Sequence, residues 1–89
     1  MSRLFMDFML EEEMLDLLTY CLQNPTSDQL ESKKSRFKEI GKELFDDGGV
    51  DAMENFFFVV DNRIQAEIEQ SPKAFRSLWN GISDEWNHP

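Results

Sequence analysis

The sequence predicts an all-α fold, a compact bundle of about four helices. Three observations support this. Apolar residues recur three or four positions apart in four separate segments. Proline and glycine fall between those segments, at Pro25, Gly48, Gly49 and Pro72. Only one stretch, "FFFVV" at Phe56 to Val60, has the composition of a buried strand, and it has no second strand to pair with.

The first helix is expected over about 3–23, with Ser2 as a cap and Pro25 beyond its end. At 100° per residue, Leu10, Met14, Leu17, Leu18, Cys21 and Leu22 share one face, and Glu11, Glu12 and Glu13 look mostly away from it. The second is expected over 27–46, because Thr26 and Gln29 have capping-box spacing. Its stripe is Leu30, Phe37, Ile40, Gly41 and Leu44, and Gly41 would let another helix approach closely. Gly48 and Gly49 then stop it.

The third helix is expected over 51–70, with Asp51 and Glu54 again at capping spacing. Its stripe of Val50, Met53, Phe57, Val60, Ile64 and Ile68 runs for five turns, which outweighs the strand-like composition at its centre. The fourth is expected over 72–80, since Ser71 followed by Pro72 suits a helix start. Phe75, Leu78, Trp79, Ile82 and Trp86 continue one helical face, so Gly81 either ends this helix or bends it on the way to residue 86. The expected core is Met14, Leu18, Phe37, Leu44, Phe57, Ile64, Phe75, Trp79, Ile82 and Trp86. On this reading the two tryptophans close the core and do not form a ligand box.

The 89 residues suffice for one domain, 1–89, with a small core. A 40% hydrophobic share excludes a disordered chain despite the net charge of −9. That charge disfavours nucleic acid and anionic membrane surfaces as partners. A single cysteine, Cys21, cannot form an internal disulfide, so a reducing cytoplasm is the expected location. "MSRLFMDFMLEEE" has neither the charge pattern nor the cleavage site of a leader, and no apolar run is long enough to span a bilayer. The segments "EIGKEL…GG…M" at Glu39 to Met53 and "LWNGISDEW" at Leu78 to Trp86 resemble a pattern in small uncharacterised bacterial helical proteins. That resemblance implies an α fold and no activity.

Catalytic and metal chemistry find little to build on. The only histidine, His88, is expected to be a solvated residue at a fraying end, and Cys21 a small buried hydrophobe. "DDGGVDAME" fails the calcium-loop spacing in both registers, and no Glu-x-x-His pair exists for a di-iron site. No phosphate-binding glycine motif occurs. The basic run from Lys33 to Lys42 spreads around its helix among Glu31, Glu39 and Glu43, which suits pairing with acidic faces better than a phosphate-binding stripe. No catalytic, cofactor-binding or metal-binding residue is assigned, and no cofactor is expected.

Two apolar sets remain unexplained by the core. Phe5, Met6 and Met9 lie roughly opposite the Met14–Leu18 face, and Phe58 and Val59 lie off the Phe57–Ile64 stripe. The sequence therefore reads as a small acidic helical interaction protein, a homodimer joined through its first helix that takes any further protein partner through apolar residues. Two alternatives stay open. One is a nucleic-acid-related regulator, either a DNA mimic or a weak binder through Lys33 to Lys42. The other is an enzyme using buried carboxylates.

Overall fold

The computed structural model describes residues 3–88, with side chains from residue 8 onward. Three helical elements follow one another: α1 (Arg3–Gln23), α2 (Leu30–Ile68) and a 3₁₀-helix (Lys73–Trp79). No strand occurs among the described residues, so the fold is all-α, but with three helices where the sequence led us to expect four.

The expected second and third helices are two arms of α2. A straight helix of 39 residues would be about 58 Å long, whereas the longest dimension of the molecule is 33 Å. Phe37 and Phe57 would lie about 30 Å apart on a straight helix, yet their ring centroids are 6.2 Å apart, packed edge to face. The chain therefore folds back between them. It does so at Gly49, the one residue inside α2 with non-helical backbone angles, φ 72° and ψ −162°. Only glycine adopts that conformation without steric penalty. The backbone is helical immediately on both sides, so Asp51 does not cap a new helix.

The start of α2 also departs from expectation. It begins at Leu30, its cap residue Gln29 makes no side-chain capping bond, and the Thr26 capping box does not form. Ser27 organises the turn instead. Its Oγ accepts the Gln29 N–H at 3.1 Å and shares a 2.6 Å hydrogen bond with the Tyr20 hydroxyl. That ties the end of α1 to the start of α2. α2 ends at Ile68, where Glu69 turns into the left-handed region at φ 57°.

The last segment is a 3₁₀-helix, not the expected α-helix over 72–80. Its N–H groups reach back three residues, from Phe75 to Pro72 O at 2.9 Å and from Asn80 to Ser77 O at 3.1 Å. The same step recurs beyond it, from Ile82 to Trp79 O and from Trp86 to Ser83 O, both at 3.1 Å. The helix stops at Trp79, and Gly81 at φ 93° turns the chain. The tail is thus a run of tight turns, and Trp79 and Trp86 do not share a helix face. They meet because the tail curls, with ring centroids 5.1 Å apart.

The core lies between α1, the two arms and this tail. Met14, Leu15, Leu17 and Leu18 come from α1; Phe37, Ile40 and Leu44 from the first arm; Met53, Phe57, Val60 and Ile64 from the second. Trp79 and Trp86 plug it, both fully buried, while Phe75 and Ile82 are half-buried against it. Each such large side chain contributes about 1.5–3 kcal/mol by leaving water. Gly41 admits the indole of Trp79, the last residue of the 3₁₀-helix.

Candidate interaction surface

Arginines clamp α1 to both arms of α2. Arg36, on the first arm, grips Glu13 with two bonds, Nε to Oε2 at 2.6 Å and Nη2 to Oε1 at 2.8 Å. Its Nη1 reaches Glu43 at 3.4 Å. Arg63, on the second arm, holds Glu11 at 2.8 Å and Glu12 at 2.6 Å. The hydrogen bond from Arg36 keeps the Glu13 carboxyl below its ordinary range, with the nearby positive charge adding to the effect and burial opposing it. Both guanidinium pKa values are raised, first by those hydrogen bonds. The acidic triplet of α1 is therefore half of an interhelical clamp.

This arrangement bears on the basic run from Lys33 to Lys42. Its one arginine fork is engaged by carboxylates, and the Lys33 ammonium stacks 5.0 Å over the Tyr20 ring. Bidentate phosphate recognition depends on a free arginine fork, and Arg36 does not offer one. Cys21 is buried beneath this region, and desolvation raises its thiol pKa, partly offset by Lys34 and Lys33.

His88 is not the solvated end residue that the sequence suggests. Its ring packs edge-on against Trp86 at 4.8 Å. Its backbone is clamped by the Asn80 side chain, which accepts the His88 N–H at 3.0 Å and donates to the His88 carbonyl at 2.7 Å. Its Nε2 lies 3.4 Å from Arg76 and 3.8 Å from Glu54. Arg76 in turn bonds Glu54 at 2.6 Å and lies over the rings of Phe57 and Trp86. Sequence position alone hid this cluster, because each member belongs to a different turn of the tail or arm.

Of the residues expected to form an interface, Met9, Phe58 and Val59 are exposed, Phe58 at 65%. Phe5 and Met6 lie outside the residues whose side chains are described. Two further exposed apolar side chains were missed by the sequence reading. Phe8, 57% exposed, is on α1, and Phe45, 37% exposed, follows Leu44 on α2. Phe45 sits one position off its stripe, the same signal that singled out Phe58.

A groove of about 300 Å³ runs between α1 and the Gly49 end of α2. Leu44, Ala52, Phe56 and Val59 supply its apolar lining, with Glu11, Asp47 and Asn55 as its polar members. No lysine, arginine or histidine occurs among the described residues that line it. Among the described residues there is also no cluster of three or more metal-ligating side chains and no helix long and apolar enough to cross a membrane.

No protein-family model, curated protein or solved structure matches the chain.

Proposed function

We propose that the chain is a small acidic interaction protein with no catalytic activity of its own, resident in a reducing compartment. It acts by pairing with a second copy of itself through exposed apolar side chains of α1 and the 50–68 arm. The observation that carries this reading is the 65% exposure of Phe58, beside the exposed Val59 and with Phe8 and Met9 exposed on α1. A large apolar side chain left in water forgoes about 1.5–3 kcal/mol of burial, and concentrations of such side chains on a small fold mark contact surfaces. A two-fold dimer brings the same patch of both copies together, so one exposed set covers another. The buried, unreactive Cys21 suits the proposed compartment.

Light scattering coupled to size exclusion tests the reading on wild type, Phe58→Asp and Met9→Asp across a range of concentrations. The dimer mass is expected for wild type and the monomer mass for at least one variant, with helical circular dichroism unchanged in all three. A wild type that stays monomeric at high concentration overturns the homodimer.

A further inference from the structure

We infer that the face which α1 and the first arm of α2 present to the second arm also accepts the second arm of another copy. Two chains would then exchange residues 50–88 about Gly49, a pairing independent of the exposed Phe58 surface. The turn between the arms is one residue long, because the backbone is helical immediately on both sides of Gly49. Antiparallel helices are commonly joined by about two to five residues. A connection this short invites exchange between copies, since straightening it leaves every other contact available.

Both glycines at the turn are required only by the folded-back form. Gly49 holds φ 72° and ψ −162°, a conformation essentially confined to glycine. A Cβ on Gly48 would stand 2.9 Å from the Ala52 Cβ, whereas Cβ atoms four residues apart on a straight helix are about 5–6 Å apart. Straightening lifts both restrictions and continues the hydrogen-bond ladder that two abutting helix ends interrupt.

The contacts given up within one chain are remade between two. Arg63 of one copy would meet Glu11 and Glu12 of the other, so opposite charges face each other across the new interface despite −9 on each chain. The Trp79 indole would donate to the other copy's Phe37 carbonyl, and Phe57 would pack on that Phe37. Arg36 stays on Glu13 within its own half. Two adjacent glycines disfavour a straight helix, which keeps the wild type folded back until its concentration is high.

The test is light scattering coupled to size exclusion after refolding from urea at low and high protein concentration. The samples are wild type, the Gly48→Ala/Gly49→Ala double variant, that variant with Phe58→Asp, and a chain with Gly-Ser-Gly inserted between Gly48 and Gly49. Alanine at 49 penalises both turns that a dimer would dispense with, so association should strengthen by about thirtyfold or more. The double variant should refold at high concentration as a dimer that survives dilution, because separation requires opening the core. Phe58→Asp should not dissociate it. Wild type should show a smaller slowly exchanging fraction, and the insertion should abolish it.

A double variant that folds as a monomer overturns the exchange, as does a dimer lost on dilution or with Phe58→Asp. Should the double variant not fold, wild type decides. No slow dimer after refolding at high concentration, or one that the insertion leaves unchanged, overturns it as well. A dimer that follows concentration at once and depends on Phe58 upholds the surface pairing alone. A slow dimer without a fast one upholds the exchange alone.

Discussion

The Trp79 indole occupies the space where a side chain at Gly41 would stand: a Cβ built there would lie 2.5 Å from Nε1 and 2.7 Å from two ring carbons. The indole reaches this position because its N–H donates to the Phe37 carbonyl at 2.9 Å and its ring stacks on Phe37 at 4.7 Å. A stacked and bonded ring cannot step aside. Gly41→Ala should therefore destabilise the chain by about 1–3 kcal/mol, although alanine is the better helix former by about 0.5–1 kcal/mol. In a Trp79→Leu background the obstacle is gone, and the same change should become neutral or stabilising. Urea denaturation of the four proteins in that cycle measures the reversal. A Gly41→Ala penalty that is equal in both backgrounds removes the proposed contact.

Gly49 poses the opposite problem, with ample space and a demanding backbone. A Cβ there would meet nothing within 4 Å, yet φ is 72°. Gly49→Ala should cost about 1–3 kcal/mol from the backbone alone. A D-alanine introduced at position 49 by synthesis favours the observed angles, and should stabilise by about 0.4–1 kcal/mol through the unfolded chain. Thermal melts of the two forms should shift in opposite directions. Shifts in the same direction would mean that the chain does not fold back here.

These two glycines show how much the sequence could and could not reveal. The apolar stripes of α1 and of both arms were legible because burial on one face imposes a 3.6-residue period, whatever the element boundaries are. Punctuation at Gly48 and Gly49 was legible too, but whether glycine ends one helix or reverses it within a single residue depends on backbone angles that composition does not encode. The tail misled for a related reason. Phe75, Trp79, Ile82 and Trp86 have helical spacing, yet the tail is a run of i→i+3 turns, and Trp79 meets Trp86 because the chain curls at Gly81, not because they share a helix face. His88 looked peripheral by position, while its anchor is the Asn80 side chain eight residues earlier. In the candidate site, the exposed Phe58 and Val59 showed as residues off a stripe. The groove did not show, because its walls come from α1 and both arms.

The Glu13–Arg36 clamp should make stability depend on acid. The Glu13 carboxyl is held below its ordinary value of 4.5, chiefly by the Arg36 hydrogen bond. A group whose pKa falls on folding stabilises the folded state above its unfolded value, and that contribution is lost as pH drops through the folded value. With Glu13 40% and Arg36 33% exposed, solvent screens the pair and the contribution is about 0.2–1 kcal/mol. Glu13→Gln should be less stable than wild type at neutral pH, and the gap should close once the pH is well below 4.5. Denaturation midpoints at several pH values check this. A gap that is constant with pH would assign the effect to packing.

The final prediction concerns what holds the tail against the core. Arg76 lies 5.0 Å from the ring centroids of both Phe57 and Trp86, donates to Glu54 at 2.6 Å, and accepts the Trp86 indole N–H on its backbone carbonyl at 2.7 Å. A planar guanidinium can lie across two rings while keeping one fork on a carboxylate, whereas a lysine ammonium is a point charge that cannot do both. Arg76→Lys should therefore cost about 1–2 kcal/mol. The buried Arg76 Nε has no hydrogen-bond partner among the described residues, so Arg76→Met should lose the charge contacts yet recover part of that penalty. Because the backbone bond to Trp86 survives either change, tryptophan fluorescence should keep the spectrum of buried indoles while the urea midpoint falls. The lysine variant should be the less stable of the two. A lysine variant as stable as wild type would show that burial of Trp79 and Trp86 holds the tail without Arg76.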